Sequence, residues 1–240
     1  MKKTISTVQA QTEQPLEHII VDGSNNSEIN DYLAGANIPG VVWKTERDKG
    51  ISDAFNKGVE RSQGTIVHLL NSGDYYYDEY VVMSVMNEFR ADQNLGWTHG
   101  MYYQYVGDNW VLTGKQFNKN KLWRGFGKTG HQTMFVKKEL YHKHGLFSLE
   151  KKMAMDYDFL VRIKDEPFKY LEQPIVYFAP GGVSNQKWKE TFDEVYASHK
   201  QYLGFTPKLW LGKAIQYSFY WLNSTALFKW YLKNFKTTKN

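Results

Sequence analysis

One stretch of the chain reads Thr65-Ile66-Val67-His68-Leu69-Leu70-Asn71-Ser72-Gly73-Asp74. Six mostly apolar residues are followed by residues that favour turns, a pattern that predicts a buried strand stopping before Asp74. Ligands of open α/β sheets bind beside the carboxyl ends of such strands. Asp74 therefore stands where a ligand-binding carboxylate is expected.

The same pattern extends towards the N-terminus. An apolar run from His18 to Val21 ends at Asp22, and another runs from Gly40 to Trp43. Helical patterns separate these runs, and the clearest one places four apolar residues on one face: Ile51, Ala54, Phe55 and Val59. Strands that alternate with helices predict an α/β fold, with a mixed, mostly parallel sheet flanked by helices.

The pattern changes after Gly96. Residues 97–105 and 109–114 predict an antiparallel hairpin, and residues 117–130 predict a loop rich in glycine and lysine. Further elements are expected as helices at 137–144 and 156–163 and as strands at 168–171 and 175–179. This second half is expected to complete one catalytic domain over residues 1–206, followed by a tail over residues 207–240.

Composition excludes several classes of function. With 42% hydrophobic and 16% aromatic residues the chain can bury a core, and the absence of cysteine excludes disulfides, thiolate metal sites and a cysteine nucleophile. The net charge of +5 arises at one end, because no acidic residue follows Glu194 while seven lysines do. A nucleic-acid-binding protein would spread its positive charge over the folded surface, so no nucleic-acid partner is expected. No signal peptide is predicted, since polar residues follow Lys2 and Lys3.

Four motifs occur in an order that resembles family 2 glycosyltransferases. They are Asp22-Gly23-Ser24, the segment from Asp48 to Gly58, Leu70-Asn71-Ser72-Gly73-Asp74, and the segment from Ala154 to Phe159, supported by His131-Gln132 and Gly181-Gly182-Val183-Ser184. The resemblance implies the GT-A fold, a nucleotide-diphosphate sugar donor and a divalent metal, Mg²⁺ or Mn²⁺. It also implies that the first strand of the fold is lacking, because residues 4–8 resemble the helix after it. Unpaired backbone groups beside the nucleotide pocket are then expected.

The donor-binding residues follow from this resemblance. Asp22 and Gly23 would contact the base, while Asp48 and Gly50 precede a helix whose N-terminus can face a phosphate. The remaining donor residues are expected to be Asp53, Asn56, Asn71 and Ser72. The alternatives are a turn-capping role for Asp22 and a solvated helix face for Asp53 and Asn56.

Asp74 is the expected metal ligand, since Mg²⁺ and Mn²⁺ prefer oxygen ligands and complete their coordination with water and phosphate. The commoner motif of the family is Asp-x-Asp, whereas here Gly73 precedes Asp74. A single protein carboxylate would therefore have to hold the metal. The alternative is an acid at the start of a helix.

Asp156 corresponds by resemblance to the general base that deprotonates the acceptor hydroxyl and gives inversion in a single displacement. Asp158 would point elsewhere and fix the local structure or the acceptor, while His131 and Gln132 would contact donor sugar or acceptor. The alternatives are helix capping for the two aspartates and a structural role for His131.

The tail combines lysines with nine aromatic residues between Trp210 and Phe235. Its uncharged run between Lys213 and Lys229 is short of the roughly 20 apolar residues of a spanning helix, so an interfacial segment on an anionic membrane is expected. This predicts a peripheral protein on the cytoplasmic face, with a glycan or lipid-linked acceptor. The tail could instead pack on the domain or form a dimer contact, and the whole chain could be an inactive binding or scaffold protein of the same fold.

Overall fold

The computed structural model describes residues 1–106, 108–180 and 187–224. Its helices are α1 (Lys2–Gln9), α2 (Glu28–Ala36), α3 (Ile51–Arg61), α4 (Val81–Ala91), α5 (Lys138–His144), α6 (Met155–Arg162), α7 (Trp188–Leu203) and α8 (Pro207–Ser224). Its strands are β1 (His18–Asp22), β2 (Val41–Thr45), β3 (Ile66–His68), β4 (Tyr75–Tyr76), β5 (Trp97–Val106), β6 (Asn109–Thr113), β7 (Phe135–Lys137) and β8 (Phe168–Tyr177). The expected mixed α/β architecture is confirmed.

The strands form two sheets. β1 and β2 pair in parallel, and the larger sheet has the order β3-β7-β5-β8-β4 with β6 added to β5. Only the β1–β2 and β5–β8 pairs are parallel among the six described pairings, so the parallel share is smaller than the sequence pattern suggests. The two-residue strand β4 and the three-residue strand β7, both antiparallel to their neighbours, are too short to give a periodic pattern in the sequence.

One expected break in the sheet is absent. The sequence predicts separate strands at 168–171 and 175–179, whereas β8 is continuous from Phe168 to Tyr177. Its polar residues and Pro174 interrupt the apolar pattern but not the strand. Proline lacks an N–H group for the ladder, and the pairing with β5 shifts register beside Met101, the partner of Pro174.

Alternate residues of the central strands face two apolar clusters. Phe135 of β7 packs in a cluster with Val85 of α4, and the next residue, Val136, packs in the opposite cluster with Leu160 of α6. This alternation follows from the two-residue period of a strand. The sheet is therefore covered on both faces, and α6, which carries Asp156, is fixed by burial of its apolar side.

The edges of the two sheets meet at a cavity. Within the described residues β1 pairs only with β2, and β3 pairs only with β7. Ile19 of β1 and Ile66 of β3 both line a cavity of about 1800 Å³. Each of these two strands therefore has one edge without a strand partner among the described residues.

Helix α8 packs on the domain through one face. Leu209 is buried, and a side chain at Gly212 would collide with the carbonyl oxygen of Trp123, so glycine permits a close approach. Gln216 donates a hydrogen bond to the carbonyl of Arg124, and Lys213 pairs with Asp193 of α7 at 2.9 Å.

Among the described helices none has the length and apolarity needed to cross a bilayer.

Candidate active site

Asp74 lies at the floor of the cavity, just after the turn that follows β3. Its side chain is 4% exposed, and one carboxylate oxygen, Oδ1, accepts the backbone N–H of Ala179 at 2.7 Å. The other oxygen, Oδ2, is buried without a hydrogen-bond partner in the described structure. Burial raises the pKa of Asp74, although the Ala179 N–H and the nearby side chains of His131, Asn71 and Gln132 oppose this rise.

The turn before Asp74 requires glycine. Gly73 has φ of +107°, and its N–H group donates to the hydroxyl of Thr4 in α1. A β-carbon at this position would also stand 3.1 Å from the β-carbon of Ala179. Asn71 and Ser72, the preceding residues, line the cavity as predicted, and the carbonyl of Asn71 accepts the N–H of Asp74.

Asp156 lies in the first turn of α6 and lines the same cavity. Its Oδ1 accepts the backbone N–H of Tyr157 at 2.7 Å, and its Oδ2 lies 3.2 Å from Nδ1 of His131. The Nε2 atom of His131 is buried with no partner in the described residues. Since His131 also acts electrostatically on Asp74, the predicted base and the predicted metal ligand share one neighbour.

Gln132 is held by a buried histidine. His68, at the end of β3, lies 2.7 Å through Nε2 from the carbonyl oxygen of Gln132 and stacks on Phe135 with ring centroids 4.0 Å apart. Burial lowers the pKa of His68 to about 4, so its imidazole is neutral near pH 7. His68 thereby fixes the segment that carries His131 and Gln132, a role that the sequence analysis did not assign.

Asp48 lines the cavity beside Gly23, whereas Asp22 and Gly23 are not part of the cavity lining. A β-carbon at Gly23 would lie 1.8 Å from Oδ2 of Asp48, so the carboxylate of Asp48 in its present orientation occupies the space beside Gly23. The carboxylate of Asp22 already accepts hydrogen bonds from Ser24 and Thr45. Its turn-capping role is therefore realised in the structure, whereas Asp48 lines the cavity.

Gly50 begins helix α3 with φ of +116°, and its N–H donates to Oδ1 of Asp48. Gly50 and the following residue, Ile51, line the cavity, so the N-terminus of α3 is oriented towards it. Such a terminus attracts anions, because its first N–H groups have no partner within the helix.

The structure places Asp53 and Asn56 away from the cavity lining. Asp53 accepts the backbone N–H of Lys49 and pairs with Lys57, and these contacts lower its pKa. Asn56 is buried and exchanges two hydrogen bonds with the backbone of Phe147. The spacing of Asp53 and Asn56 predicts that both lie on one face of α3, but the two side chains bind different partners on different sides of the helix.

Asp158 is likewise not at the cavity. Its side chain is 1% exposed and accepts hydrogen bonds from Ser198 at 2.8 Å and from Arg162 at 3.2 Å. The second of the two expected roles, contact with an acceptor, finds no support in this burial. The carboxylate instead ties α6 to α7.

One predicted motif, Gly181 to Ser184, lies outside the described residues, as do residues 225–240 of the tail. The sequence analysis also missed Glu194, whose carboxylate accepts three consecutive backbone N–H groups just before α6. Glu194 belongs to no motif in the sequence, and it lies about 40 residues from the N–H groups that it binds.

The cavity residues fit a divalent cation in one respect. Oδ2 of Asp74 is an anionic oxygen without a protein partner, which is what a hard cation requires. Within the described residues no group of three or more histidine, aspartate or glutamate side chains is placed so that it could hold a metal ion. A cation at Asp74 would therefore take most of its ligands from water and phosphate, as Mg²⁺ does in many phosphate sites.

Comparisons with known proteins give relatives that are named glycosyltransferases. A glycosyltransferase of Mycobacterium tuberculosis strain CDC 1551, itself uncharacterized, is 28% identical over 68% of this chain and 63% of its own length. The chain thus spans about 63% of that relative. A PGL/p-HBAD biosynthesis glycosyltransferase of Mycobacterium bovis BCG is 24% identical over 75% of this chain and 72% of its own length.

The solved structures share the fold at low sequence identity. S. aureus TarS 1–349 in complex with UDP superposes with a TM-score of 0.62 at 14% identity, covering 83% of this chain and 61% of that one. A mannosyltransferase from Pyrobaculum calidifontis in complex with GDP-Man and Mn²⁺ gives 0.61 at 13% identity, covering 85% and 60%. The fold is therefore that of the GT-A glycosyltransferases. The family model described as glycosyl transferase family 2 matches residues 1–158, and the chain accordingly belongs to that family.

Proposed function

We propose that this protein is an inverting glycosyltransferase that moves a sugar from a nucleotide-diphosphate donor to a glycan or lipid-linked acceptor. The observation that carries the proposal is one cavity lined by Asp156, His131 and Asp74, in which Oδ2 of Asp156 lies 3.2 Å from Nδ1 of His131. A carboxylate for the acceptor and another for the diphosphate are the two acidic groups that such a transfer requires.

In the proposed reaction the acceptor hydroxyl gives its proton to Oδ2 of Asp156. The acceptor oxygen forms a bond to the anomeric carbon of the donor sugar while the bond from that carbon to the diphosphate oxygen breaks. One displacement inverts the configuration. Oδ1 of Asp156 accepts the N–H of Tyr157 from its own helix, whereas Oδ2 lies 3.2 Å from Nδ1 of His131, so we assign the acceptor proton to the remaining lone pair of Oδ2.

The donor is assigned to the opposite side of the cavity. Asp48 and the N-terminus of α3 at Gly50, together with Asn71 and Ser72, form polar lining for base, ribose and diphosphate. Asp22 and Gly23 would shape the base pocket, since Gly23 leaves room for Asp48. Solved structures of the same fold in complex with UDP-GlcNAc and with GDP-Man support a nucleotide-sugar donor.

A divalent cation, Mg²⁺ or Mn²⁺, is proposed at Oδ2 of Asp74, where it would neutralise charge on the diphosphate leaving group. This chain's own contribution is to hold Asp74 rigidly. The Ala179 N–H fixes Oδ1, and the hydrogen bond from the Gly73 N–H to the hydroxyl of Thr4 fixes the turn before it.

A membrane-linked acceptor is favoured by the geometry of α8. Its packed face reaches the cavity rim, because Gln216 lines the cavity with Arg124, whose carbonyl it binds. Its other face exposes Trp210, Leu211 and Ile215, which are 61%, 49% and 50% exposed, beside Lys208. An apolar surface with a neighbouring lysine is typical of a helix that lies in a bilayer interface.

Attachment through this face would bring the cavity rim to an anionic membrane. Lys213, by contrast, pairs with Asp193 and covers the ring of Tyr196, so it contributes less to such binding than the sequence suggests. We place the protein on the cytoplasmic side of a membrane, in the biosynthesis of a surface polysaccharide or glycolipid.

The test is a screen for release of nucleotide diphosphate from UDP- and GDP-sugars, with Mn²⁺ or Mg²⁺ present and with an extract of membrane lipids as acceptor. Release by the wild-type protein that Asp156→Asn removes supports the proposal. Inversion is checked by the anomeric configuration of the product. Nucleotide binding without any release would instead support the alternative, an inactive binding or scaffold protein of the same fold.

A further inference from the structure

The segment that leads into α6 is held from outside by one side chain of α7. Oε1 of Glu194 accepts the N–H of Lys152 at 3.1 Å, while Oε2 accepts the N–H groups of Met153 and Ala154 at 2.8 and 2.9 Å. Ala154 is the residue before the helix and has no oxygen with which to cap it. The carboxylate of Glu194 therefore anchors the segment that leads into α6, because it binds the N–H groups of the three residues before the helix and not those of the helix itself.

A second and a third contact follow one turn along α7. Ser198 donates to the buried Oδ1 of Asp158, and the ring of His199 lies 3.0 Å from the hydroxyl of Tyr157. Glu194 and Ser198 are four residues apart, so they share a face of the helix. This face holds the chain on both sides of Asp156, before it at 152–154 and after it at 157 and 158.

The side chain of Asp156 points away from α7 and towards the cavity. Its carboxylate lines the cavity and faces His131, and within the part of the chain that the structure describes its other hydrogen bond is the local one from the N–H of Tyr157. The direction of this side chain is therefore set by backbone that α7 fixes. A reacting group displaced by about 1 Å can lose on the order of 10²-fold in rate, so this restraint bears directly on transfer.

We propose that Glu194 is a positioning residue for Asp156, which it orients by binding the three backbone N–H groups before α6. The inference rests on the proposed role of Asp156 as base. Glu194 lies beyond residues 1–158, the part of the chain that the family model matches. The family motifs therefore supply the base, and α7 supplies the support that orients it.

The experiment compares Glu194→Ala and Glu194→Gln with Glu190→Gln, a control that removes the same charge from an exposed position one turn earlier on α7. Three quantities are measured on the full chain. They are hydrogen exchange of the amides at 152–154, the NMR signals of the His131 ring, and the kcat and donor KM of nucleotide release. Glutamine retains one acceptor oxygen in place of two, so it should give an intermediate effect and remain folded if alanine does not.

We expect Glu194→Ala to speed exchange at 152–154, shift the His131 signals and lower kcat by about 10²-fold, with donor KM changed less than twofold. Glu190→Gln should leave all three unchanged. Unaltered exchange and His131 signals in both Glu194 variants would overturn the inference even if the wild-type protein released no nucleotide. An active wild type with full kcat in Glu194→Ala would overturn it as well. Absence of release by the wild type, with the two spectroscopic changes present, would count against the proposed function alone.

Discussion

Nδ1 of His131 lies 3.2 Å from Oδ2 of Asp156, across the cavity wall between a short 3₁₀ turn and the start of α6. The two residues are 25 positions apart in the sequence. The ring of His131 packs against Phe55 of α3, with centroids 5.8 Å apart, and this contact restricts its orientation. His131, Asp156 and Asp74 all line the same cavity.

Replacing His131 by asparagine should lower turnover by about 10–100-fold, the range seen for groups that orient a reacting or ligating carboxylate. The carboxylate of Asp156 would lose its nearest charged or polar side chain while the fold is kept. Steady-state nucleotide release gives the rate and circular dichroism gives the fold. Unchanged turnover would mean that His131 only packs against Phe55.

Asp156→Asn should reduce turnover by about 10²–10⁴-fold with little change in donor affinity, because an amide cannot accept the proton of the acceptor. Asp158→Asn should act on stability instead. Asparagine removes the charge that faces Arg162, whose side chain is 10% exposed and also donates to backbone carbonyls of residues 144–146, so the loss should be smaller than the about 3–5 kcal/mol of a fully buried broken pair. Thermal unfolding and nucleotide release separate the two effects. Loss of turnover in Asp158→Asn alone would show that the roles are reversed.

Asp74→Ala should abolish transfer and leave the protein folded, and excess EDTA should have the same effect on the wild type. A further measurement does not depend on the donor. MnCl₂ with UDP should raise the Tm of the wild type, because a ligand at 100 times its Kd adds about 2.7 kcal/mol to the free energy of unfolding. The variant should show no Mn²⁺-dependent part of this rise. Full activity in EDTA would disprove the metal.

Asp74→Asn should raise the Tm near pH 7, since burial raises the pKa of Asp74 above its ordinary 3.8. A carboxyl with a raised pKa binds more protons folded than unfolded, so stability falls as pH increases from 3.8 through the folded value. Above that window the penalty is fully present, and below pH 3.8 it vanishes.

Asp22→Asn is the matched control for this pH dependence, because both oxygens of Asp22 already accept hydrogen bonds. That variant should lose stability near pH 7. A Tm of Asp74→Asn at or below that of the wild type at pH 7 would contradict the prediction. A higher Tm of Asp74→Asn than of the wild type would show that the carboxylate of Asp74 lowers the stability of the folded protein.

The exposed face of α8 should bind anionic bilayers. Sedimentation with phosphatidylglycerol vesicles should recover the wild-type protein, and substitution of Trp210, Leu211 and Ile215 by serine should remove most of this binding, since burial of apolar side chains at the interface is lost. Tyr217→Phe, on the packed face, is the control. It removes a hydrogen bond to Asp193 but no exposed apolar surface.

High salt should weaken the binding of the wild type only in part, because roughly 1 kcal/mol per lysine is screened whereas the apolar contribution is not. Equal sedimentation of the wild type and the triple variant would assign the exposed face to another role, such as a dimer contact. Residues 225–240 are present in every protein compared, so their lysines do not affect the comparison.

The sequence alone determined the elements whose signals are local. The apolar run before Asn71-Ser72-Gly73-Asp74 gives β3 and its terminal acid, and the pattern at Ile51, Ala54, Phe55 and Val59 gives α3, because strand and helix periods are written in neighbouring residues. The motifs around Asp22, Asp48, Asp74 and Asp156 sufficed to identify the family. They also gave Asp74 and Asp156 as cavity residues, since strand ends and helix starts converge in this fold.

Only the tertiary structure decided what each side chain faces. The helical spacing of Asp53 and Asn56 predicts that both face the ligand. In the structure Asp53 pairs with Lys57, Asn56 binds the backbone of Phe147, and neither side chain lines the cavity. The support of Asp156 by Glu194 is equally invisible in the sequence. Its three hydrogen bonds span about 40 residues and end on backbone N–H groups, which every residue except proline carries and which leave no trace in side-chain identity.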